Sequence, residues 1–253
     1  MKLTFLGTGT SQGVPVIGCD CDVCQSTDKH DKRLRTSALV QMNQNNFVID
    51  SGPDFRYQML RSGIKKLDAL IFTHEHKDHI AGMDDIRPFN FILKQKVNVY
   101  ATERVEVALK REYPYVFEDF KYPGVPEIEL HIIDENPFEV NGIQIEPLPV
   151  LHYQLPVFGF KIDGLCYITD ANHIPDETKE KIKNCKVLVI NALRKETHVS
   201  HFNLEEALAL IKDLNPEKAY LTHISHQLGK HHDVEKELPS NVFCAYDELE
   251  VVL

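Results

Sequence analysis

Asp68 to Gly82 reads "DALIFTHEHKDHIAG", and the six residues from His74 to His79 include three histidines and one aspartate. Three imidazoles this close cannot all be buried without specific partners, because each unpaired ring nitrogen taken out of water costs free energy. The apolar run Ala69–Phe72 ahead of them suits a buried parallel strand, so the histidines fall where that strand stops. On a single helix His74 and Asp78 would share a face while His76 and His79 pointed away from it; only a turning backbone gathers all four. Neutral imidazole and carboxylate are ligands that suit zinc, manganese or iron, and a strand end is a rigid platform from which they can converge. The stretch therefore predicts a metal site in a loop that follows a buried strand.

Around it lies a chain of 253 residues, long enough for one large core, with no linker, repeat or low-complexity run to divide it, so a single domain over 1–253 is expected. The 28 Lys and Arg against 38 Asp and Glu give a formal charge of −10, the wrong sign for general binding to a nucleic-acid backbone. The start, "MKLTFLGTGTSQG", is broken by glycine and polar residues too early for a signal peptide, and no apolar run has membrane length. A soluble, cytoplasmic protein with no membrane partner is the expectation. Of six cysteines, Cys19, Cys21 and Cys24 crowd into "CDCDVC" while Cys166, Cys185 and Cys244 are scattered. Crowded thiols in a reducing compartment point to metal; a disulfide between two of them is the competing reading and leaves the third unexplained.

Strands alternate with helices along the rest. "TSALVQM" and "NFVIDSG" flank a polar turn as a hairpin, "FEVNGIQIEPL" carries an Asn141-Gly142 turn, and "VFGFKI" and "LCYITD" pair around Asp163-Gly164. Helical periodicity marks "ERVEVALKREY", "DETKEKIKN" and "NLEEALALIKDL", the last with Asn203 as N-cap and Glu206 completing a capping box. "KVLVINAL" and "KAYLTH" are strands on either side of that helix. His152, Asp170 and His223 each stand where a predicted strand ends, as the histidine cluster does, which is the placement a convergent site requires.

The pattern His74-x-His76-x-Asp78-His79, followed in chain order by His152, Asp170 and His223, resembles the metallo-β-lactamase-fold hydrolases over the whole chain. The resemblance implies an α+β architecture, the αββα sandwich of two mixed β-sheets flanked by helices. More narrowly, "GTGTSQGVPVIGCDCDVC", "HFNLEEAL" and "LTHISHQ" resemble the PhnP-like phosphodiesterases, which act on phosphoribosyl cyclic phosphate.

The same resemblance implies a role for each site residue. His74, His76 and His152 would hold one divalent metal, Asp78, His79 and His223 a second, and Asp170 would bridge them, with zinc or manganese fitting the mixed N/O set. Two cations roughly 3.5–4 Å apart need a shared carboxylate to offset their repulsion, and a hydroxide between them becomes the nucleophile for a small, possibly cyclic ribosyl, phosphodiester. Asp170 and Asp78 thus count as catalytic with His201, which would protonate the leaving group; its bland alternative is a helix-flanking histidine with no role. Asp78 and His173 are the next candidates for the acid. Asp50 would orient a ligand imidazole, or else only shape a "DSG" turn. Arg87 in "GMDDIRPFN" would meet a phosphate or sugar hydroxyl, or pair with Asp84 or Asp85. Cys19, Cys21 and Cys24 with His226 would bind a structural zinc in a loop at about residues 18–26, with strand alternation aiming His223 and His226 at different sites. The resemblance also favours a homodimer.

Three other readings stand beside this one. A transfer-RNA 3′-processing enzyme of the same superfamily would share the ligands, but no extended Gly- and Lys-rich arm is present to grip RNA. An oxidative protein of cofactor biosynthesis resembling PqqB also combines the fold with an early cysteine cluster; the full ligand set argues against it. A metal-stabilised binding module would have lost ligands, and none is missing.

Overall fold

The computed structural model describes residues 1–120 and 122–253. Its first half runs β1 (Lys2–Gly7), β2 (Ser37–Met42), β3 (Asn45–Ile49), α1 (Phe55–Ser62), β4 (Ala69–Ile71), α2 (Lys77–Ile80), α3 (Arg87–Leu93), β5 (Val97–Ala101), α4 (Glu103–Glu112), α5 (Pro114–Phe117) and β6 (Ile128–Ile132). The second runs β7 (Phe138–Val140), β8 (Ile143–His152), β9 (Leu155–Ile162), β10 (Leu165–Tyr167), α6 (Asp176–Ile182), β11 (Val187–Asn191), α7 (Leu204–Leu214), β12 (Lys218–Thr222), α8 (His231–Glu235), β13 (Val242–Cys244) and β14 (Glu250–Val252). They form two seven-stranded mixed sheets, β14-β1-β2-β3-β4-β5-β6 and β13-β12-β11-β10-β9-β8-β7.

Alternation along the strands sorts the apolar residues into three cores. Phe47 and Ile49 of β3 pack between the sheets with Phe160, Tyr167 and Val189 of the other sheet. Val48, Leu70 and Val99, on the opposite face, pack with Phe55 of α1 and Val105 and Leu109 of α4. Cys166, Leu188 and Leu221 do the same on the far side with Ile182 of α6 and Ala207 and Ile211 of α7. Helix, sheet, sheet and helix stack in that order, the expected αββα sandwich. Among the described residues, no helix is long and apolar enough to cross a membrane.

The local signals act through identifiable geometry. Asn43 and Gln44 (φ 50° and 65°), and Asn141 and Gly142 (φ 50° and 79°), supply the paired left-handed residues of two-residue hairpin turns. The Asn203 side chain accepts from the Glu206 N–H, and the Glu206 carboxylate accepts from the Asn203 N–H, closing the capping box of α7. In two places structure and expectation differ. β10 ends at Tyr167 instead of Asp170, and Asp170 itself turns left-handed at φ 52°, outside the extended region. The segment after His74 is not all loop: His76 caps α2, a single helical turn that carries Asp78 and His79. Between Tyr113 and Pro137, where the sequence shows no diagnostic pattern, lie α5 and the edge strand β6.

In both sheets the C-terminal ends of parallel strands point to one region, where the loops after β3, β4, β10 and β12 meet. The loop after β3 is zipped to α2: Ser51 N–H donates to the His79 carbonyl and Gly82 N–H to the Ser51 carbonyl, both at 2.7 Å. This approach has no room for a side chain, since a Cβ on Gly52 would lie 2.0 Å from the Asp78 carbonyl oxygen. Gly52→Ala is therefore expected to destabilise the protein by about 1–3 kcal/mol through overpacking. Urea unfolding checks this, and an unchanged midpoint would show that the zipper yields freely.

Candidate metal centre

Two sets of ligand atoms lie within 4.8 Å of one another: His74, His76, His152 and Asp170 in one, Asp78, His79, His223 and Asp170 in the other. Asp170 belongs to both. Its Oδ2 lies 3.8 Å from His74 Nε2 and 3.4 Å from His79 Nε2, and its Oδ1 lies 2.9 Å from His223 Nδ1. His74 Nε2 is 3.0 Å from His76 Nδ1, and Asp78 Oδ2 is 3.2 Å from His79 Nε2. The residues come from the loop after β4, from α2, from the end of β8, and from the segments that follow β10 and β12.

Outer partners decide which ring nitrogens are bare. The His152 Nδ1–H donates to the Ser200 carbonyl at 2.7 Å, leaving Nε2 for the cluster. Asp50, itself held by the Thr73 N–H at 2.9 Å and hydroxyl at 2.8 Å, accepts from His79 Nδ1 at 2.7 Å. His79 Nε2 then faces Asp78 and Asp170, buried and with no hydrogen-bond partner among the described residues. A buried, partnerless nitrogen aimed between two carboxylates is what a cation site leaves behind when only protein atoms are counted.

The electrostatics agree. Burial drives the His74 imidazole well below its ordinary value, with His79 adding to the shift, and burial takes His152 down to about 4 against the pull of Asp170. Burial pushes His79 down too, but Asp78, Asp170 and Asp50 outweigh it and raise it well above normal. For Asp78 burial acts upward, and His79 and His223 overcome it to hold the carboxylate below its usual range. Neutral imidazoles and ionised carboxylates are the metal-binding forms, and the proton that His79 keeps without metal is one a cation displaces. The residues present fit two divalent cations.

A separate group, Cys19, Cys21, Cys24 and His226, also has its ligand atoms within 4.8 Å. Cys19 Sγ and Cys21 Sγ lie 3.4 and 3.3 Å from His226 Nδ1, and all six cysteines are free thiols. The Cys24 N–H and then His226 pull the Cys21 thiol down to about 6, toward the thiolate a metal needs, while burial pushes Cys24 up to about 11. His223 and His226 both lie beyond β12, so a turning loop rather than strand alternation aims them apart.

His201 comes to the cluster around Asp170: its Nε2 is 3.4 Å from Asp170 Oδ2, its ring stacks on His223 at 4.9 Å, and it meets His152 edge-on at 4.6 Å. Arg87 instead pairs with Asp84 at 2.6 Å, and none of its hydrogen bonds or ion pairs among the described residues reaches the clusters. His173 is exposed and joins Leu151 through its backbone. Two histidines left without a role by the sequence are also covered: His231 is buried and His198 is half-buried against His201. Thr73 and Thr10, whose hydroxyl lies 3.2 Å from His223 Nε2, escaped the sequence reading because short polar side chains carry no signal until their partners are known, and Ser200 because it acts through its backbone carbonyl.

The sequence profile of the Beta-lactamase superfamily domain matches residues 45–224. The chain belongs to that superfamily. A crystal structure of a diphosphatase from the PhnP family superposes with a TM-score of 0.94 at 39% identity, covering 100% of this chain and 97% of that one, which places the chain among PhnP-like metallo-β-lactamase-fold hydrolases. Zinc-bound PqqB from Methylobacterium extorquens (18% identity, TM-score 0.80, all of both chains) and human short-form tRNase Z (17%, 0.74, covering 100% and 99%) share the fold. Among curated proteins, an octanoyltransferase of Porphyromonas gingivalis is 39% identical over 100% of this chain and 52% of its own length. A ribonuclease Z of Staphylococcus saprophyticus is 25% identical over 65% of this chain and 50% of its own. The chain thus spans about half the length of the first curated relatives it matches.

If the cysteine group holds its own ion, Cys21→Ala is expected to lose about one metal equivalent and to lower thermal stability, since closed tetrahedral sites contribute folding energy outright. Elemental analysis beside a melting curve decides the matter; a variant that keeps its full metal complement removes the assignment.

Proposed function

We propose that this chain hydrolyses a small phosphodiester, of which a cyclic ribosyl phosphate is one form, at a dinuclear centre of zinc or manganese, with one structural zinc at the cysteine site. The observation that carries the reading is the placement of His201 Nε2 3.4 Å from the one carboxylate oxygen that both candidate metal sets approach. When bound, divalent cations there polarise phosphoryl oxygens and bring water into a usable pKa range.

The chain's own residues do the rest. Asp170 supplies the anion that lets two cations lie close together, and Asp50 keeps the His79 ring in the orientation that turns Nε2 inward. Departing alkoxide needs a proton, and His201, 9% exposed, lies at the edge of the cluster with a ring nitrogen facing it. Arg87, half-exposed in its pair with Asp84, would have to exchange that partner to touch a phosphate. The 39% identity to a PhnP-family diphosphatase supports phosphorus chemistry and makes a disubstituted diphosphate a substrate to test beside diesters. An RNA substrate is disfavoured by 38 acidic against 28 basic residues.

Asp170→Ala is expected to abolish metal-dependent hydrolysis, whereas His201→Ala should slow alkyl or cyclic diesters by roughly 10²–10⁴-fold and aryl diesters, whose leaving group needs little protonation, far less. Steady-state rates on both substrate types, with metal analysis alongside, test the assignment. Equal losses on the two would make His201 a positioning group. Failure of the metal-replete protein to hydrolyse any phosphodiester or diphosphate would overturn the function.

A further inference from the structure

We propose that Asp28, His30 and His232 form a further binding site for a divalent transition metal, zinc above all, separate from the dinuclear cluster and from the cysteine group. The site does not rest on the hydrolytic reading.

Three ligand atoms converge there. His30 Nδ1 lies 3.0 Å from Asp28 Oδ1, His232 Nε2 lies 3.2 Å from Asp28 Oδ2, and one donor atom from each residue lies within 4.8 Å of the others. In a tetrahedral zinc site with bonds of about 2.0–2.1 Å, neighbouring ligand atoms stand about 3.3 Å apart, so one ion fits among these three with little movement. His30 Nδ1 is buried and has no hydrogen-bond partner among the described residues, although a carboxylate oxygen is so near. It is orphaned when only protein atoms are counted, as His79 Nε2 is in the dinuclear cluster.

The donors are held ready. Asp28 N–H donates to the Ser26 hydroxyl at 3.1 Å, and Asp28 Oδ1 accepts the His30 N–H at 2.9 Å, capping the 3₁₀ turn Lys29–Asp31. The His30 N–H, more than any other neighbour, holds the Asp28 carboxyl below its usual range, in the ionised form a cation needs, and a carboxylate has lone pairs to spare. The His30 ring is wedged between His231, stacked at 4.8 Å, and Tyr246, edge-on at 4.3 Å. Helix α8, which carries His232, is tied to the same turn by the His231 N–H, donating to Asp31 Oδ1 at 2.7 Å. An ion would find the two segments already joined, so little binding free energy would go into ordering them.

The donor set decides the class of ion. Two imidazoles and a carboxylate suit zinc, copper or nickel, whereas calcium and magnesium call for oxygen ligands. His232 is 70% exposed, which leaves the fourth position open to water and lets the ion exchange with solvent, unlike one closed in by three thiolates. The neighbouring trio His231, Glu235 and Cys244 is less suited. The Arg33 guanidinium lies 3.4 Å from His231 Nδ1, Glu235 Oε1 already takes the Cys244 N–H, and burial pushes the Cys244 thiol up to about 12. In the sequence Asp28 and His232 stand near opposite ends of the chain, so nothing there joins them.

Zinc-loaded protein, desalted to its tightly held metal and titrated with zinc by calorimetry, tests the site. One further equivalent is expected to bind. His232→Ala removes a mostly exposed ring, and Asp28→Asn keeps a capping side chain while losing the charge. Each should weaken the added equivalent by about tenfold or more, since loss of an outer-shell partner alone can cost that much. Elemental analysis should find the tightly held metal unchanged in both. The melting temperature of the wild type should rise with added zinc and that of the variants should not, because an ion bound only by the folded state stabilises it. Absence of a further equivalent, or wild-type affinity in either variant, would overturn the site.

Discussion

The carboxylate of Asp170 is 2% exposed, and an isolated anion at that depth would cost several kcal/mol to keep ionised. His223 and His79 oppose that cost, with His201 adding a hydrogen bond, and together they hold the group well below the usual carboxylate range. The polypeptide places the anion by ending β10 early and turning Asp170 left-handed at φ 52°, a conformation that a non-glycine residue holds only when its neighbours enforce it. Asn191 is one enforcer: its side chain takes the Ala171 N–H at 2.8 Å and donates to the Ala171 carbonyl at 2.9 Å. The Thr169 hydroxyl, donating to Asp170 Oδ1 at 2.6 Å, is another. Asp50 and His223 show the same left-handed turn just past β3 and β12, so three strand ends direct polar side chains into one space by the same backbone device.

The cysteine group bears on this space through the N-terminal loop. Gly9 bridges to Ile224, Thr10 N–H donates to the Ile224 carbonyl, and the Thr10 hydroxyl backs His223. A metal at Cys19, Cys21, Cys24 and His226 would clamp that loop to the segment after β12, fixing the wall behind a catalytic ligand without joining the chemistry. The proposed hydrolysis would then depend on two metal sites for different reasons, one reactive and one architectural.

Much of this was legible in the sequence because four apolar, β-prone runs each lead directly into His or Asp. The candidate ligands His74, His76, Asp78, His79, His152, Asp170 and His223 could be written down together, and the structure gathers them into two sets that share Asp170. The hairpins at Asn43 and Asn141 and the capped helix α7 came from residues whose preferences are strong and local. The features that escaped depend on contacts distant in sequence. The left-handed turns at Asp50, Asp170 and His223 carry no glycine to announce them, and α2 is too short for periodicity to reveal. Arg87 has chemistry suited to a phosphate, yet its nearest anion is Asp84, three residues away, and sequence alone could not choose between those partners.

Every role assigned to the centre requires that one carboxylate serve two cations. Anomalous diffraction at the zinc edge from crystals of the zinc-loaded protein addresses this most directly. Two peaks about 3.5–4 Å apart are expected, with Asp170 within coordination distance of both, and a third among Cys19, Cys21, Cys24 and His226. A single peak at the histidine cluster in fully loaded crystals, or two that do not share Asp170, would contradict it.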